Sequence, residues 1–177
     1  MHEIDGIRLK LRNWRLEDYM DLFEYASLSD IGPKAGWNPH KNIDESKKVI
    51  KRFIDSDEVY AIELKDNEKV IGSIGFHNRN LNRKYRNLKQ REIAIVLNPK
   101  YWNNGYANES INMLIDYGFK VMKLDIIWMS HHLGNYQSEK MIKKCNFKYI
   151  FQKEVILERI NNKKVKMLYY ILENKYC

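Results

Sequence analysis

A strand, a short turn rich in asparagine and glycine, and an amphipathic helix follow one another between residues 92 and 122. Of all the features of the sequence, this succession of elements constrains the fold most. Apolar residues alternate along Glu92–Leu97, which predicts an extended segment, and Asn98-Pro99 ends it. Apolar residues then recur at helical spacing, which predicts a helix with one buried stripe. The members of that stripe are Ala107, Ile111, Leu114, Ile115, Gly118, Phe119 and Met122.

The turn between this strand and this helix is a candidate phosphate site. Backbone N–H groups in the first turn of a helix lack intrahelical partners, and the helix dipole places partial positive charge there, so anionic oxygens bind. Gly105 allows a close backbone approach or a positive φ. A plain tight turn is the alternative interpretation, and the strand and helix on either side favour the phosphate site.

Length and composition predict a single domain over residues 1–177 with a full hydrophobic core. The segment Met1–Asp5 carries charged side chains and lacks an apolar stretch, and no apolar run approaches the length of a membrane span, so we expect a cytoplasmic protein without a membrane partner. The two cysteines, Cys145 and Cys177, provide neither a disulfide framework nor a metal site. We therefore expect no metal.

The formal net charge of +8 is densest in the basic segment, residues 79–91. Its cations surround Tyr85 and Leu88, a pattern that phosphate-binding segments and solvated loops share. We favour the solvated loop and do not expect nucleic acid to be a partner. The overall charge argues weakly against a polycationic substrate, since like charges slow encounter.

The predicted order of elements is β-α-α-β-β-β-α-β-α-β-β, a mixed α/β sheet. The first strand carries Ile7, Leu9 and Leu11, and the first helix has Leu16, Tyr19, Met20 and Phe23 at helical spacing. A loop over 28–42 precedes a second helix with Val49, Ile50, Phe53 and Ile54 on its apolar side. The remaining predicted elements are strands Val59–Lys65 and Val70–His77 joined at 66–68, a strand over 124–131, a helix over 135–145, and a hairpin of 147–158 with 164–173 turned at Asn161-Asn162.

This order and three stretches of sequence resemble the GNAT acetyltransferases, specifically the RimJ/RimL-like branch of ribosomal-protein N-terminal acetyltransferases. The stretches are the strand 92–97, the segment 99–109 after it, and Asn135-Tyr136-Gln137-Ser138 leading to Asn146-Phe147. The family signature Gln/Arg-x-x-Gly-x-Gly/Ala maps onto Trp102-x-x-Gly105-x-Ala107, and its first position departs. Asn146 stands where the family usually has glycine, and asparagine tolerates a left-handed C-cap.

The resemblance implies that acetyl-CoA binds in a splayed central sheet. Its pantetheine arm would pair with the backbone near Val96 and Leu97 and with Asn135, and the amide of Val96 or Leu97 would stabilise the charge that develops on the thioester carbonyl. Its pyrophosphate would lie on the loop of Trp102, Asn103, Asn104, Gly105, Tyr106 and Ala107.

Three side chains are candidates for the proton transfers. Glu92 is the candidate general base, with a structural charge at the start of the strand as the alternative, and His77 is a second candidate because histidine titrates near neutral pH. The tyrosine acid of many family members falls on Ile142, so the resemblance points to Ser138 as its substitute. Asn135 and Ser138 also suit the start of a helix without any catalytic role.

The sequence therefore predicts an N-acetyltransferase that acts on a primary amine, either a protein N-terminus or a small molecule. Trp37 and His77 are the predicted acceptor-binding residues, and a homodimer is possible. The alternative is a non-catalytic domain that binds CoA, or binds RNA through the basic segment.

Overall fold

A computed structural model describes residues 2–175, so Cys177 lies outside the described residues. The strands are β1 (Ile4–Asp5), β2 (Leu9–Arg12), β3 (Val59–Leu64), β4 (Val70–His77), β5 (Gln90–Leu97), β6 (Ile126–His132), β7 (Lys148–Leu157) and β8 (Lys163–Glu173). The helices are α1 (Tyr19–Ala26), α2 (Gly32–Ala35), α3 (Ile43–Ser56), α4 (Tyr106–Lys120) and α5 (Tyr136–Lys144).

The strands form one eight-stranded sheet in the order β1-β2-β3-β4-β5-β6-β8-β7. Neighbouring strands run antiparallel, except β5 and β6, which run parallel. This mixed α/β sheet confirms the predicted fold class.

The sheet is splayed between β5 and β6. The two strands pair only where Gln90–Glu92 lies beside Ile126–Trp128, and from Ile93 onward β5 pairs only with β4. A gap therefore opens in the middle of the sheet, as the resemblance implied.

Helices cover both faces of the sheet. The buried stripe of α4 packs with Leu9, Ile93 and Leu97 in the larger core, while α1 and α3 form a second core around Trp14, Tyr25 and Ile50. A smaller third cluster places Leu81 and Tyr85 over Trp128, Tyr169 and Ile171. This cluster shows that part of the basic segment folds back onto the sheet.

Two short elements were not predicted, and three apolar patterns were misread in part. β1 and α2 are both absent from the predicted order. Ile7 is 91% exposed, because the amide of Gly6 donates to the carbonyl of Leu9 at 2.8 Å and turns the chain there. Pro33, in the predicted loop, instead occupies the first turn of α2, where proline fits well.

The predicted stripe of the first helix is wrong at Leu16 and Met20, which are exposed. The helix buries Leu22, Tyr25 and Ala26 instead. A 3₁₀ turn over Leu16–Asp18 precedes α1, and its tighter winding shifts the phase of the side chains. Ile54 of α3, the second predicted helix, is likewise exposed. The strand β5 begins two residues earlier than predicted.

Three asparagines at predicted turns adopt the left-handed backbone conformation. Asn146 has φ 64° and follows the end of α5, and Asn161 and Asn162 turn the closing hairpin with φ of 47° and 55°. No helix within residues 2–175 is both long and apolar enough to span a membrane.

Candidate active site

The turn before α4 has the predicted cradle geometry. Asn103 has φ 63° and Gly105 has φ 80°, so two left-handed residues lead into the helix. Asparagine and glycine are the residues that adopt this conformation at least cost. Across the described chain, no group accepts a hydrogen bond from the amides of residues 103–108. These amides are therefore free to bind an anion.

Arg8 braces this turn from the other end of the sequence. Its amide and its Nε each donate to the carboxylate of Glu109 at 2.8 Å, and its Nη1 donates to the carbonyl of Asn104 at 3.0 Å. The guanidinium also lies 4.5 Å from the centre of the Tyr106 ring. Sequence reasoning missed Arg8, since no local pattern links residues about a hundred positions apart.

The hydrogen bonds of β5 show which of its backbone groups face the gap. The amide of Asn98 donates to Ile71, which precedes Gly72 of β4, and the carbonyl of Lys89 accepts from Asp125 on the opposite side. Along a strand, the N–H and C=O groups of successive residues point to opposite sides within the plane of the sheet. The backbone N–H and C=O groups of the odd-numbered residues of β5 therefore point toward the gap. The Leu97 amide therefore faces the gap, whereas the Val96 amide faces β4. The indole Nε1 of Trp102 donates a hydrogen bond to the carbonyl of Leu97 at 2.8 Å.

A cavity of about 910 Å³ follows the gap from the cradle to the tip of the β7–β8 hairpin. The indole of Trp37 and the neighbouring residues of α2 line its far end, together with residues 156–159. The side chain of Asn38 donates to the carbonyl of Arg159 at 2.8 Å, which joins these two segments. The predicted site residues that line the cavity are Trp37, Glu92, Val96, Leu97, Trp102, Asn103, Gly105, Tyr106, Ala107, Asn135 and Ser138.

Glu92 is buried, with 3% exposure, at the point where β5 and β6 separate. Its Oε1 accepts from the hydroxyl of Ser130 at 2.5 Å, and its Oε2 accepts from Nη1 of Arg79 at 3.0 Å. All three residues line the cavity. Glu92 therefore reaches the cavity as part of a hydrogen-bonded group, and Ser130 and Arg79 are site residues that the sequence analysis did not identify.

His77 and Asn104 do not line this cavity among the residues described. His77 lies beside Glu92 across β4 and β5, with its Nδ1 3.7 Å from Oε2 of Glu58. Burial, followed by the charge of Arg79, lowers the pKa of the His77 imidazole. Asn104 contributes to the cradle by its backbone, while its Nδ2 donates to the carbonyl of Trp102 at 3.0 Å.

Asn135 and Ser138 both line the cavity, and they also cap α5. The Oδ1 of Asn135 accepts from the Ser138 amide at 3.2 Å, which confirms Asn135 as an N-cap. The Ser138 hydroxyl takes no part in this bond. Ile142, at the position of the family's usual tyrosine, is fully buried.

His131 also lines the cavity, but both its ring nitrogens are engaged. Nδ1 lies 3.0 Å from the carbonyl of His132, and Nε2 lies 3.0 Å from the hydroxyl of Tyr170. Since a carbonyl only accepts, we assign the proton to Nδ1, so Nε2 accepts from Tyr170. Burial raises the pKa of the Tyr170 hydroxyl, which favours its role as donor. His131 is therefore not a free base.

The site fits acetyl-CoA by its own geometry. Free amides stand at the cradle, backbone groups of β5 face an open gap, and a cavity connects them. Within residues 2–175, no three His, Cys, Asp or Glu side chains are placed to hold a metal ion. The chemical groups present include amides, hydroxyls and one buried carboxylate, the groups that acyl transfer from a thioester needs.

Residues 8–148 match the acetyltransferase (GNAT) domain family. The uncharacterized N-acetyltransferase YnaD of Bacillus subtilis (strain 168) is 30% identical over 141 residues, which cover 80% of this chain and 79% of YnaD. The chain therefore belongs to the GNAT acetyltransferases, and it is an acetyl-CoA-dependent acyltransferase. This membership does not favour the alternative of a non-catalytic domain.

Two solved structures show the same fold. An acetyltransferase of the GNAT family from Bacillus anthracis has a TM-score of 0.86 at 24% identity, covering 98% of this chain and 99% of that one. The ribosomal-protein-S5-alanine acetyltransferase from Vibrio fischeri has a TM-score of 0.74 at 16% identity, covering 99% and 98%. At these identities the likeness concerns the fold alone.

Proposed function

We propose that the protein transfers the acetyl group of acetyl-CoA to the nitrogen of a primary amine by direct attack on the thioester. The observation that carries the proposal is the gap beside β5, with the Leu97 amide facing it and the free amides of residues 103–108 at its end. When bound, acetyl-CoA supplies a carbonyl carbon that an amine can attack. The family supports this donor.

The cradle binds the pyrophosphate through its amides, and the side chain of Asn135 contacts the pantetheine arm. The Leu97 amide stabilises negative charge on the carbonyl oxygen, because a fixed N–H is worth most where charge develops. Val96 contributes as cavity wall rather than as donor.

Glu92 accepts the proton of the amine, directly or through the Ser130 hydroxyl that it binds. The positive charge of Arg79, which pairs with Glu92, favours the neutral form of a nearby amine, which is the form that attacks. Ser138 donates a hydrogen bond to the departing thiolate. These roles follow from the positions of the four side chains around one cavity.

The proposed acceptor is a protein N-terminal α-amine, as in the RimJ/RimL-like branch, with small amines as the alternative. An α-amine titrates near 8 and a lysine amine near 10.4, so a larger fraction of the α-amine is neutral at pH 7. Trp37 lines the cavity, and His77 lies beside Glu92 on the neighbouring strand. We also propose a cytoplasmic location.

Release of free thiol from acetyl-CoA tests the proposal. The assay pairs the protein with panels of N-terminal peptides, amino acids and polyamines, and mass spectrometry locates the acetyl group. We expect amine-dependent thiol release and one added acetyl group on an α-amine. Failure of every amine to accelerate thiol release, with acetyl-CoA binding demonstrated by calorimetry, would contradict the proposed reaction.

A further inference from the structure

A concavity of about 410 Å³ lies at the start of β5, and we call it the basic groove. It is formed by residues of the 78–91 segment together with Met122 and Leu124, which follow α4. Among the residues described, no carboxylate lines it. Its charged lining residues are Arg79, Arg86, Lys89 and Arg91.

Arg79 pairs with Glu92, but the other three charges are not neutralised by the protein around them. Arg86 and Lys89 form no side-chain ion pair within the described chain, and Arg91 donates only to the neutral oxygens of Asn78 and Gln90, at 3.3 and 2.8 Å. Asp125 lies nearby, but its carboxylate accepts from the backbone amide of Lys89 at 2.7 Å. A groove with one sign of charge attracts a ligand of the opposite sign.

The basic groove is separate from the cradle that serves acetyl-CoA. The two lie beyond opposite ends of β5, which has eight residues and therefore spans about 23 Å at a rise of about 3.3 Å per residue. An anion that binds the groove is therefore not the pyrophosphate held at residues 103–108.

Arg79 connects the groove with the active-site cavity. Within the described chain it is the only residue that lines both. One of its nitrogens donates to Glu92, while the side chain is 60% exposed. A chain whose amine lies at Glu92 would pass Arg79 and enter the basic groove.

We infer that the acceptor is a peptide N-terminus followed closely by Asp or Glu residues, whose carboxylates bind the basic groove. The inference rests on the proposed function, since it needs an amine acceptor at Glu92. Residues three to six of an extended peptide lie about 7 to 17 Å from its amine, and we expect the acidic residues there.

The groove suits carboxylates better than single-stranded RNA. RNA binding without base pairing relies on exposed aromatic rings that stack on bases. Tyr85 is the aromatic residue of the basic segment, and its ring packs edge-on against Trp128 with centroids 5.3 Å apart. The segment therefore offers charge without a stacking surface.

A matched set of peptides tests the inference. The peptides share their first two residues and carry Glu, Gln or Lys at positions three to six, and each set is repeated with Ala, Met or Ser first. We expect kcat/KM for the Glu peptide to exceed that for the Gln peptide by about tenfold at low salt, and the ratio to shrink at about 0.5 M salt.

A binding measurement gives a readout independent of turnover. Fluorescence anisotropy of N-acetylated, C-terminally labelled Glu peptide measures its affinity without any acetyl transfer. The double substitution Arg86→Gln/Lys89→Gln should weaken this binding about tenfold and bring the Glu-to-Gln ratio of kcat/KM close to one. The control Lys48→Gln/Lys51→Gln removes the same charge from the exposed face of α3 and should behave as the wild type.

Four outcomes would overturn the inference. The first is a wild type that does not favour Glu over Gln peptides, and the second is a double substitution that leaves the ratio intact. The third is loss of homopolymeric RNA binding on the same substitution while peptide preference is absent. Acetylation of small amines but of no peptide would overturn it while the proposed function stood. Absence of thiol release with any amine would instead contradict the proposed function.

Discussion

The two ends of the active-site cavity are built from different parts of the chain. At the proposed donor end, the groups available for binding are backbone amides of residues 103–108 and of β5, held by local conformation. At the proposed acceptor end they are side chains from separate elements, with Glu92, Ser130 and Arg79 converging by hydrogen bonds. A backbone site tolerates most substitutions that keep its conformation, whereas a side-chain site depends on each residue. Substitutions at the two ends should therefore fail in different ways.

The largest effect is expected at the acceptor end, from Glu92→Gln. The amide keeps the shape of the side chain and can still bind Ser130, but it cannot accept a proton, so kcat should fall about 10²- to 10³-fold. Steady-state thiol release measures kcat, and calorimetry with acetyl-CoA should show donor affinity close to that of the wild type.

Glu58→Gln is the matched control, because Glu58 lies near His77, whose backbone is next to Glu92 on the neighbouring strand. It should leave kcat within about twofold. A Glu92→Gln enzyme with normal kcat would show that another group takes the proton and that the acceptor end does not depend on this carboxylate.

The next effect is expected at the donor end, from Gly105→Asp. The substitution places a carboxylate where phosphate oxygens should bind and forces a non-glycine residue to adopt φ 80°, so acetyl-CoA should bind about 100-fold more weakly. Calorimetry measures the dissociation constant, and thermal unfolding checks the fold.

Gly105→Ala separates conformation from charge. A Cβ at this position would meet only the Arg8 side chain, at 3.4 Å, so the alanine variant bears the backbone strain without the repulsion and should lose about fivefold in affinity. Equal losses of acetyl-CoA affinity in the two variants would mean that backbone strain, and not charge repulsion, weakens binding. No loss of affinity in either variant would mean that the pyrophosphate binds elsewhere.

The same contrast explains how much the sequence could predict. The donor end was predictable because left-handed turns select asparagine and glycine locally, so Asn103, Gly105 and Asn146 reveal their conformations by type. The strand and helix on either side were equally visible, since their apolar periods differ.

The acceptor end was not predictable in this way. Glu92 meets Arg79 and Ser130 across 13 and 38 positions, and the brace of the donor end from Arg8 to Glu109, which spans 101 positions, was missed for the same reason. Such pairings are decided by strand order and register, which no local pattern encodes. The misreading of Leu16 has a related cause, because a 3₁₀ turn fixed by Asp18 changed the helical phase.

A smaller effect is expected from Ser138→Ala. Ser138 combines the features of the two ends, because both its backbone amide and its side chain have a role. Its amide belongs to the cap of α5, while its hydroxyl forms no hydrogen bond within residues 2–175 and is the proposed donor to the thiolate. Removing the hydroxyl should lower kcat about tenfold and leave acetyl-CoA affinity and thermal stability unchanged, because the capping bond from the Ser138 amide persists.

Asn135→Ala is the comparison variant, since it removes the cap itself and should cost about 1 kcal/mol of stability. A Ser138→Ala enzyme that loses donor affinity in proportion to kcat would assign the hydroxyl to binding rather than to chemistry.

The smallest effect is expected from the charges that brace the donor end. Lys100, two residues before Trp102, donates to Glu24 of α1 at 2.7 Å, and Lys69 lies 2.8 Å from the other oxygen of the same carboxylate. The hydrogen bond of Lys100, followed by that of Lys69, lowers the pKa of Glu24 from 4.5 to about 2. The contribution of these ion pairs to the free energy of unfolding is therefore fully present above about pH 4.5, and it is lost as the pH falls from there toward 2.

Glu24→Gln should lower the free energy of unfolding by about 1 kcal/mol at neutral pH, because the ion pairs reach solvent and are screened. Chemical denaturation at pH 6, 4 and 3 should show the gap between wild type and variant closing as the wild-type carboxylate takes up its proton. Asp55→Asn removes an exposed carboxylate of α3 and should show no such closing gap. A constant difference across this range would mean that Glu24 stabilises the protein by packing and that the donor end needs no charged brace.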